Sequence, residues 1–530
     1  VHPAGTRREL APVDSRLRYP DPVSGRIACA YSIMTACGTV LELLRRGADE
    51  APALLAPDRP VLDHADLRAQ AATTVERLNE LGIGRNDTIA IVLPNGPEMA
   101  AAFLCIAGGA TTAPLNPAYT CDEFAYYLDD LKARALVVQH GDATPARTAA
   151  DKVGVPVIEL SFDASQPAGT FRLHGEPGEA DHPGPAEPDD IALVLHTSGT
   201  TSRPKIVPLS HRNVCASATN IAASLELDSG DRCLNVMPLF HIHGLIAALL
   251  SSLQAGASVV CSSGFNALQF FALLEEFRPT WYTAVPTMHQ AILSRAGRNA
   301  DVIERTPLRL IRSSSASLPP QVMTEIEQVF DVPLIESYGM TEAAHQMASN
   351  PLPPRARKAG HVGLAAGPEV AIMNSEGTLL PVGEIGEVVI RGENVTPGYQ
   401  NNPEANAGAF TDGWFRTGDQ GVIDAEGYLR LTGRLKEIIN RGGEKISPRE
   451  VDEVLLDHPA VVQVVTFAVP HDKLGEDVAA AVVLDEGAEL SDRALRTFAS
   501  ERLADFKVPR KIVFLDEIPK GATGKLQRIG

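Results

Sequence analysis

A short apolar segment that stops at a loop of small hydroxylated residues places the strongest constraint on the fold of this chain. Ile191–Leu195 is apolar throughout, and the following His196–Lys205 is rich in Ser, Thr and Gly. Ser210 is suited to cap a helix, because apolar residues then recur at the spacing of one buried helical face. These residues are Val214, Ala218, Ile221, Ala222 and Leu225. A strand, a loop and a helix in this order are typical of layered α/β proteins.

The same alternation of helices and short apolar strands begins near Thr39. Val40–Arg46 and Leu67–Leu81 have helical patterns, whereas Thr88–Leu93 and Ala135–Val138 are short apolar runs. This pattern predicts a multi-layer α/β domain.

The length predicts more than one domain. The chain has 530 residues, and a single core usually stops growing at about 250–300 residues. After Gly433 the pattern changes: Pro448–Leu456 has a helical pattern, and Val461–Val469 and Val478–Leu484 resemble strands of a small α+β domain. We predict an N-terminal extension over 1–38, a large α/β domain over 39–435 and a small α+β domain over 436–530.

The loop has the composition of an anion-binding site. In Thr197–Thr201 small residues let backbone N–H groups approach an anion, and four hydroxyl groups can donate to phosphate oxygens. Lys205 adds a positive charge. The loop is not a Walker P-loop, because the spacing GxxxxGK[ST] is absent and the lysine lies beyond a proline. Taken alone, the loop is equally typical of a Ser/Thr-rich turn.

Further unusual strings follow the loop in a fixed order. They are Ser337–Glu342, Gly413–Asp419, Gly433–Ile439 with Arg441–Ser447, and Pro519–Lys525. In this combination the chain resembles the adenylate-forming superfamily of acyl-CoA synthetases, peptide-synthetase adenylation domains and luciferases, from about Thr39 to the end. The resemblance implies a large α/β domain with a small, mobile α+β domain at its C-terminal side.

The resemblance also implies a reaction. ATP activates a carboxylic acid as an acyl-adenylate with release of pyrophosphate, and CoA then takes the acyl group as a thioester. ATP, Mg²⁺ and CoA as co-substrate are therefore expected. The implied catalytic residues are Lys525, Lys205, Thr341 and Glu342. Lys525 would bridge the acyl carboxylate and the α-phosphate, Thr341 would donate to the α-phosphate, and Glu342 would bind Mg²⁺, which favours oxygen ligands.

A larger set of residues is implied to bind the nucleotide. It comprises Thr197, Ser198, Gly199, Thr200, Thr201, Lys205, Ser315, Ala316, Ser337, Tyr338, Gly339, Thr341, Asp419, Arg434 and Lys525. Within it, Asp419 would hold both ribose hydroxyls with help from Arg434, and Tyr338 would stack on adenine. Taken alone, Tyr338 is equally typical of a core aromatic, and Glu342 is more typical of a surface residue.

The hinge and the CoA site are implied by the string that follows Gly433. Lys436 would lie at the hinge about which the small domain rotates between the two half-reactions. Arg441, Gly442 and Gly443 would line the pantetheine tunnel, where glycine permits close backbone approach. An ordinary glycine turn is the alternative for these residues.

The acyl pocket is predicted to be polar. Pro238–Gly244 resembles the segment that lines the acyl pocket in this superfamily, and the resemblance implies a pocket that contains His241, His243, Ser315, Met340 and His345. Polar groups favour a polar substrate, since a buried second carboxylate needs partners. Trp281–Thr287 and Met340–Pro351 resemble the oxalyl-CoA synthetase branch, which implies oxalate.

Three alternatives to the oxalate reading stay open. One is a medium- or long-chain fatty acyl-CoA synthetase, and another is a non-catalytic nucleotide-binding protein. In the third, the histidines are core residues with no substrate role. Two positions also depart from the superfamily pattern, because Ser202 and Ile206 stand where glycines are common. A bulky Ile206 could stiffen the loop or slow pyrophosphate release.

Composition excludes several other classes of protein. A net charge of −19 argues against nucleic-acid binding, and seven cysteines without CxxC or His spacing indicate neither disulfides nor zinc. No run reaches the about 20 apolar residues of a membrane span. The first 33 residues lack a secretory signal, and the last three are no peroxisomal address. We expect a cytoplasmic protein whose translation starts at Val1 or Met34; its oligomeric state is not indicated.

Overall fold

Two large, mostly parallel sheets form the body of this computed structural model, which describes residues 37–197, 204–521 and 526. The first sheet has, in spatial order, the strands Arg172–His174, Val157–Ser161, Ala135–Gln139, Thr88–Val92, Thr111–Pro114, Ile191–Thr197 and Lys205–Ser210. The second has Leu364–Ala365, His345–Ser349, Leu334–Met340, Leu310–Ser313, Trp281–Ala284, Arg232–Asn235, Ser258–Cys261, Pro52–Leu55 and Leu62–Asp63. Antiparallel strands occur only at the edges of these described sheets.

Two smaller sheets follow along the chain. The third sheet is antiparallel and contains Glu369–Met373, Gly386–Arg391, Trp414–Ile423, Phe410–Thr411 and Leu429–Arg434. The fourth contains Glu444–Ile446, Ile439–Arg441, Gly475–Leu484, Val461–His471 and Lys511–Phe514. Helices Pro448–Leu456 and Asp492–Ser500 pack on this last sheet around a separate apolar core.

A shared layer of buried helices lies between the two large sheets. Helix Pro97–Ala107 is buried on all sides from Met99 onward, as its uniformly apolar sequence requires. Helix His211–Ser224 and the π-helical segment His243–Leu250 belong to the same core. The layer therefore unites both sheets in one domain.

The outer faces of both large sheets carry further helices. Cys121–Asp130 and Pro145–Val153 cover the first sheet. Phe270–Phe277, Pro286–Ala296 and Pro320–Phe330 cover the second. The remaining helices are Val40–Leu43, Leu44–Arg46, His64–Glu80, Ser251–Gln254, Ala300–Arg305, Thr341–Ala343 and Pro403–Ala409.

The predicted fold class is confirmed: a large multi-layer α/β part precedes a smaller α+β part. The boundary at 435/436 and the mobility of the small domain stay predictions. Of the predicted extension over 1–38, residues 1–36 lie outside the described chain. No helix in the described ranges has both the length and the apolar composition needed to cross a bilayer.

One local prediction was incomplete. The loop after Ile191–Thr197 does not lead directly into a helix, because Lys205–Ser210 forms an antiparallel strand beside it. Pro208 obscured this strand in the sequence, yet proline is tolerated here because Lys205–Ser210 lies at the sheet edge. Ser210 does cap helix His211–Ser224, with its hydroxyl accepting from the N–H of Asn213.

The small part contacts the large part beside a buried carboxyl group. Gln290 Nε2 donates to the Val462 carbonyl at 3.3 Å, and Gln321 Nε2 donates to Asp457 Oδ1 at 3.2 Å. Nearby, Glu336 is 1% exposed, and its Oε2 has no hydrogen-bond partner among the described residues. Burial raises the pKa of Glu336 to about 7, although the charge of Arg449 opposes this.

We expect Glu336→Gln to stabilise the protein more at pH 8 than at pH 5.5. The pKa of this carboxyl is raised in the folded state above its unfolded value of about 4.3. Its contribution to stability is therefore complete below pH of about 4.3 and is lost as the pH rises through 7. The amide mimics the neutral acid and should remove this loss. The measurement is the difference in Tm between variant and wild type at each pH.

The exposed Glu325 offers a matched control on helix Pro320–Phe330. Glu325→Gln should give the same small difference in Tm at both pH values. An equal difference at both pH values for Glu336→Gln would contradict the raised pKa.

Candidate active site

The predicted site residues converge at the carboxyl ends of the parallel strands of the second sheet. Ser315 follows the strand Leu310–Ser313, and Tyr338 lies near the end of Leu334–Met340. His241 and His243 come after the strand Arg232–Asn235. Ligands of open α/β sheets bind at this edge, because the loops that follow the strands meet there.

A buried carboxylate forms the centre of one cluster. Glu342 is 6% exposed, and Tyr399 donates its hydroxyl to Glu342 Oε1 at 2.9 Å. Lys205 Nζ lies 4.3 Å from the centre of the Tyr399 ring, within cation–π range. Burial raises the pKa of Glu342, while the Tyr399 hydrogen bond and the charges of Lys205 and Arg434 oppose the rise. Burial and then the charge of Lys436 lower the pKa of Lys205.

A second cluster joins Asp419 to two side chains. Arg434 Nε donates to Asp419 Oδ1 at 3.1 Å, and the Tyr338 hydroxyl donates to Asp419 Oδ2. These residues come from neighbouring sheets, with Asp419 opposite Arg434 in the antiparallel pair of strands. Asp419 raises the pKa of Arg434, and burial followed by the Asp419 charge raises the pKa of Tyr338. The Asp419 carboxylate, predicted to bind the ribose, therefore also contacts Tyr338, which is predicted to stack on adenine.

A third cluster contains the predicted acyl-pocket residues. His243 Nδ1 lies 3.0 Å from Ser315 Oγ, and its ring centre lies 5.0 Å from that of His345. Both histidines are buried. The N–H of His243 also donates to His241 Nδ1 at 3.2 Å, so His241 lies against its own segment. The structure thus brings together the five predicted residues, since Met340 lies opposite His345 in an antiparallel pair of strands.

The turn that carries Glu342 requires close backbone approach. Thr341–Ala343 is a single 3₁₀ turn, and His345 then has a positive φ of 100°. A Cβ on Gly339 would lie 1.9 Å from the His345 carbonyl oxygen. Gly339 is therefore required for the turn to fold back. Met340 and Thr341 are half-buried beside it, and Ser337 is buried behind it, where its hydroxyl donates to the Ser313 carbonyl at 3.4 Å.

The predicted CoA residues form a tight hairpin. Gly442 and Gly443 have φ values of +62° and +103° and connect the strands Ile439–Arg441 and Glu444–Ile446. Consecutive positive φ angles favour glycine in a two-residue hairpin. Arg441 pairs with Asp477 Oδ1 at 2.6 Å. The turn alone explains both glycines, and the CoA role of this hairpin stays a prediction.

Two family models match this chain. The model for AMP-binding enzyme matches residues 45–400, and that for AMP-binding enzyme C-terminal domain matches residues 450–525. The chain belongs to the AMP-binding enzyme family.

Individual relatives agree with this assignment of the AMP-binding enzyme. An oxalate–CoA ligase of Arabidopsis thaliana is 45% identical over 474 residues, or 88% of this chain and 92% of the relative. An oxalate–CoA ligase of Saccharomyces cerevisiae is 44% identical and covers 84% of this chain and 86% of the relative. The crystal structure of ATP-bound MatB from Rhodopseudomonas palustris superposes with a TM-score of 0.84 at 29% identity, over 93% of this chain and 97% of that chain. The predicted membership of the adenylate-forming superfamily, near the oxalyl-CoA branch, is confirmed.

The predicted nucleotide-binding residues of this AMP-binding enzyme lie partly outside the described chain. Ser198, Gly199, Thr200, Thr201 and Lys525 lie outside the described residues, as does Ser202. Thr197 ends its strand opposite Lys205. Ala316 and Lys436 are described, and Lys436 is exposed.

Sequence reasoning missed two residues of the site. Tyr399, between Gly398 and Gln400, connects Lys205 to Glu342 but lies outside every string that carried the resemblance. Arg312 is fully buried and contacts both His243 and His345. Arg312 directly follows the apolar pair Leu310 and Ile311, and a charged residue within a short buried strand was a signal that could have revealed it.

The other unusual position, Ile206, packs in an apolar core. Its side chain is 4% exposed and lies in the cluster that contains Val194. Its carbonyl accepts from the N–H of Gln400 at 3.0 Å. The predicted effect of Ile206 on the rate of pyrophosphate release stays a prediction.

We expect Tyr399→Phe to move the acid limb of the pH–activity profile upward by about one pH unit. The Tyr399 hydroxyl stabilises the ionised form of Glu342, so its loss raises a pKa that burial has already raised. The phenylalanine ring keeps the contact with Lys205. The measurement is the rate of AMP formation between pH 5 and 9.

Tyr428→Phe provides the control, because the Tyr428 hydroxyl donates to the Ala356 carbonyl away from Glu342. Its acid limb should match the wild type. An unmoved limb in Tyr399→Phe would show that Glu342 does not control this ionisation.

Proposed function

We propose that this AMP-binding enzyme is an oxalate–CoA ligase. A carboxylate oxygen of oxalate attacks the α-phosphorus of ATP, the bond to pyrophosphate breaks, and oxalyl-AMP forms. The CoA sulfur then attacks the oxalyl carbonyl carbon, so that oxalyl-CoA forms and AMP leaves. Oxalate–CoA ligases of Arabidopsis thaliana and Saccharomyces cerevisiae support the proposal through 45% and 44% identity over most of the chain.

The observation that carries the choice of acid is the polar, buried acyl cluster. His243, Ser315 and His345 place nitrogen and oxygen atoms where an alkyl tail would need apolar side chains. An alkyl tail would offer no hydrogen-bond acceptor to a donor that faces the pocket, and a buried donor left without an acceptor costs about 1–3 kcal/mol. A second carboxylate can instead accept hydrogen bonds from them. The site therefore favours a short dicarboxylate over a fatty acid.

The two charged clusters are suited to the nucleotide. Asp419 offers its carboxylate to the ribose hydroxyls with Arg434 beside it, and Tyr338 stacks on the adenine ring. Thr341 donates to the α-phosphate. These roles are supported by the shared carboxylate and by the position of both clusters at the same sheet edge.

Glu342 is the proposed protein ligand for Mg²⁺. Its carboxylate is held in place by Tyr399 and lies in the field of Lys205. No three His, Cys, Asp or Glu side chains converge on a metal position within the described ranges. The residues fit Mg²⁺ because this ion keeps most of its ligands from water and substrate phosphates and needs few carboxylates. When bound, it neutralises phosphate charge.

The phosphate loop and the small domain complete the proposed cycle. Residues 197–201 and Lys205 hold the β- and γ-phosphates, which leave as pyrophosphate. Lys525 bridges the two reacting groups in the first half-reaction. Rotation about Lys436 then brings Arg441, Gly442 and Gly443 to the pantetheine arm of CoA.

The proposed compartment is the cytoplasm. Its support is the state of the described cysteines: Cys37, Cys105, Cys121, Cys215, Cys233 and Cys261 are all free thiols. A reducing compartment keeps thiols in this form.

The choice of acid is tested by offering purified protein ATP, CoA and one of oxalate, malonate, acetate or octanoate. We expect CoA-dependent AMP release with oxalate to exceed that with acetate and octanoate at least about 100-fold, since a site built for polar groups rejects analogues that lack them. Mass spectrometry should identify oxalyl-CoA. Rapid AMP release with octanoate and none with oxalate would instead favour a fatty acyl-CoA synthetase.

The role of Lys525 is tested by Lys525→Ala. Removal of a group that stabilises transition-state charge should lower the rate of acyl-adenylate formation about 100- to 1,000-fold and spare ATP binding. The measurements are pyrophosphate release and ATP affinity. Lys520→Ala is the matched control, because Lys520 is exposed on the same segment and pairs with Glu517 at 3.5 Å. Full activity of Lys525→Ala would refute the assigned role.

A further inference from the structure

Arg312 is a charged residue in an apolar location. Its side chain is 0% exposed, within the strand Leu310–Ser313 that lies between two other parallel strands of the second sheet. A buried guanidinium normally pairs with a carboxylate, because burial of an unpaired charge is strongly unfavourable. Among the described residues the hydrogen-bond partners of Arg312 are two histidines, a threonine and a glutamine, with no carboxylate, and its Nε has no partner. A structural role alone therefore leaves this residue unexplained.

The two ends of the guanidinium contact the two acyl-pocket histidines. Nη1 lies 3.4 Å from His243 Nε2 and 3.5 Å from Thr283 Oγ1. Nη2 lies 3.5 Å from His345 Nδ1 and 3.2 Å from Gln346 Oε1. The Gln346 amide is held in this orientation, because its Nε2 donates to Ser224 Oγ and to the Ala366 carbonyl, both at 3.0 Å. The planar fork thus reaches both rings at once.

These contacts determine which ring nitrogens carry protons. Arginine can only donate hydrogen bonds, so His243 Nε2 and His345 Nδ1 must accept. The Thr283 hydroxyl, 2.6 Å from His243 Nε2, accepts from Arg312 and donates to the same nitrogen. The proton of His243 is then on Nδ1, which faces Ser315 Oγ at 3.0 Å. The proton of His345 is on Nε2.

The charge of Arg312 also opposes a second proton on either ring. A second proton on either histidine would place an N–H group against a guanidinium N–H group and bring two positive charges together. Burial lowers the pKa of Arg312 to about 9, so the guanidinium is charged at neutral pH. Two other titratable groups adjoin Arg312. Burial raises the pKa of Cys233 and lowers the pKa of His289 to about 3, so both are neutral between pH 6 and 8.

We propose that Arg312 is a positioning residue that fixes His243 and His345 as neutral tautomers, so that the Nδ1–H of His243 donates to Ser315 Oγ and the Ser315 hydroxyl proton is directed to the second carboxylate of the substrate. The part that concerns the substrate rests on the proposed function. The tautomers themselves depend only on Arg312 and its contacts. The arginine acts through the histidines, and its charge also favours a dianion in the pocket.

The first test needs no substrate and no variant of Arg312. In the full chain labelled with ¹⁵N-histidine, correlation spectra distinguish the two neutral tautomers, and the signals are assigned with His243→Gln and His345→Gln. We expect a proton on Nδ1 of His243 and on Nε2 of His345, without titration between pH 6 and 8. The opposite tautomers, or titration near pH 6.5, would overturn the proposal.

The second test compares Arg312→Met with wild type in oxalate turnover. We expect the KM for oxalate to rise about 10- to 100-fold with an unchanged KM for ATP. In the variant the histidines can take up protons, so the KM for oxalate should fall as the pH is lowered from 8 to 6. A residue that is only structural would not produce this pH dependence. Arg305→Met, at an exposed arginine paired with Glu275, should keep the wild-type values.

The remaining outcomes separate the two proposals. If Arg312→Met does not fold, Arg312→Lys keeps the charge and should still raise the KM for oxalate, since an ammonium cannot hold both rings as a fork does. An unchanged KM and pH profile in either folded variant would overturn the role of Arg312. Wild-type protein that shows the expected tautomers but activates only acetate or octanoate would refute the oxalate proposal and leave the tautomer assignment intact.

Discussion

Burial of one helical layer between two parallel sheets is the constraint on which the site depends. Pro97–Ala107 is apolar on every side, so it is stable only when both sheets cover it. The π-helical segment His243–Leu250 belongs to the same layer and begins at a site histidine. A Cβ on Gly244 would lie 2.3 Å from the Pro238 carbonyl oxygen, so this segment packs closely against the preceding turn. Core packing thus sets the position of His243.

Opposing charges hold the side chains of the site in place before a ligand binds. Burial alone would leave Glu342 protonated at a higher pH, and it would ease the loss of a proton from Lys205. Their mutual attraction and the Tyr399 hydroxyl oppose both effects. Asp419 accepts hydrogen bonds from both Arg434 and Tyr338, which hold its carboxylate in place. Preorganised groups of this kind need little rearrangement when an anionic substrate arrives.

The acyl cluster differs from the other two clusters, because its charged residue lies behind the pocket. Its charge comes from Arg312, which sits behind the histidines and is separated from solvent. Neutral histidines then present donors of fixed direction, whereas a flexible lysine in the pocket would present a mobile charge. In this arrangement the preference for a substrate with a second carboxylate has two causes. One is the fixed direction of the hydrogen-bond donors, and the other is the positive charge of Arg312, which is kept across neutral pH.

The sequence by itself determined the fold class and, through the combination of five strings, the family. Helix Pro448–Leu456 and the strands near Ala135 and Val478 could be predicted from local periodicity. The spacing of apolar side chains along each element shows which of its faces is buried. Strand Lys205–Ser210 escaped this reasoning, since Pro208 reads as a breaker unless the strand is known to lie at a sheet edge.

Only the tertiary structure decided which charges share a cluster. Tyr399 meets Glu342 across 57 positions of the chain, and Arg312 meets His243 across 69. Such contacts depend on the order of strands in the sheets, which no local pattern encodes. The sequence therefore indicated which donors and carboxylates to expect at the site, whereas strand order determined that a buried arginine lies behind two histidines.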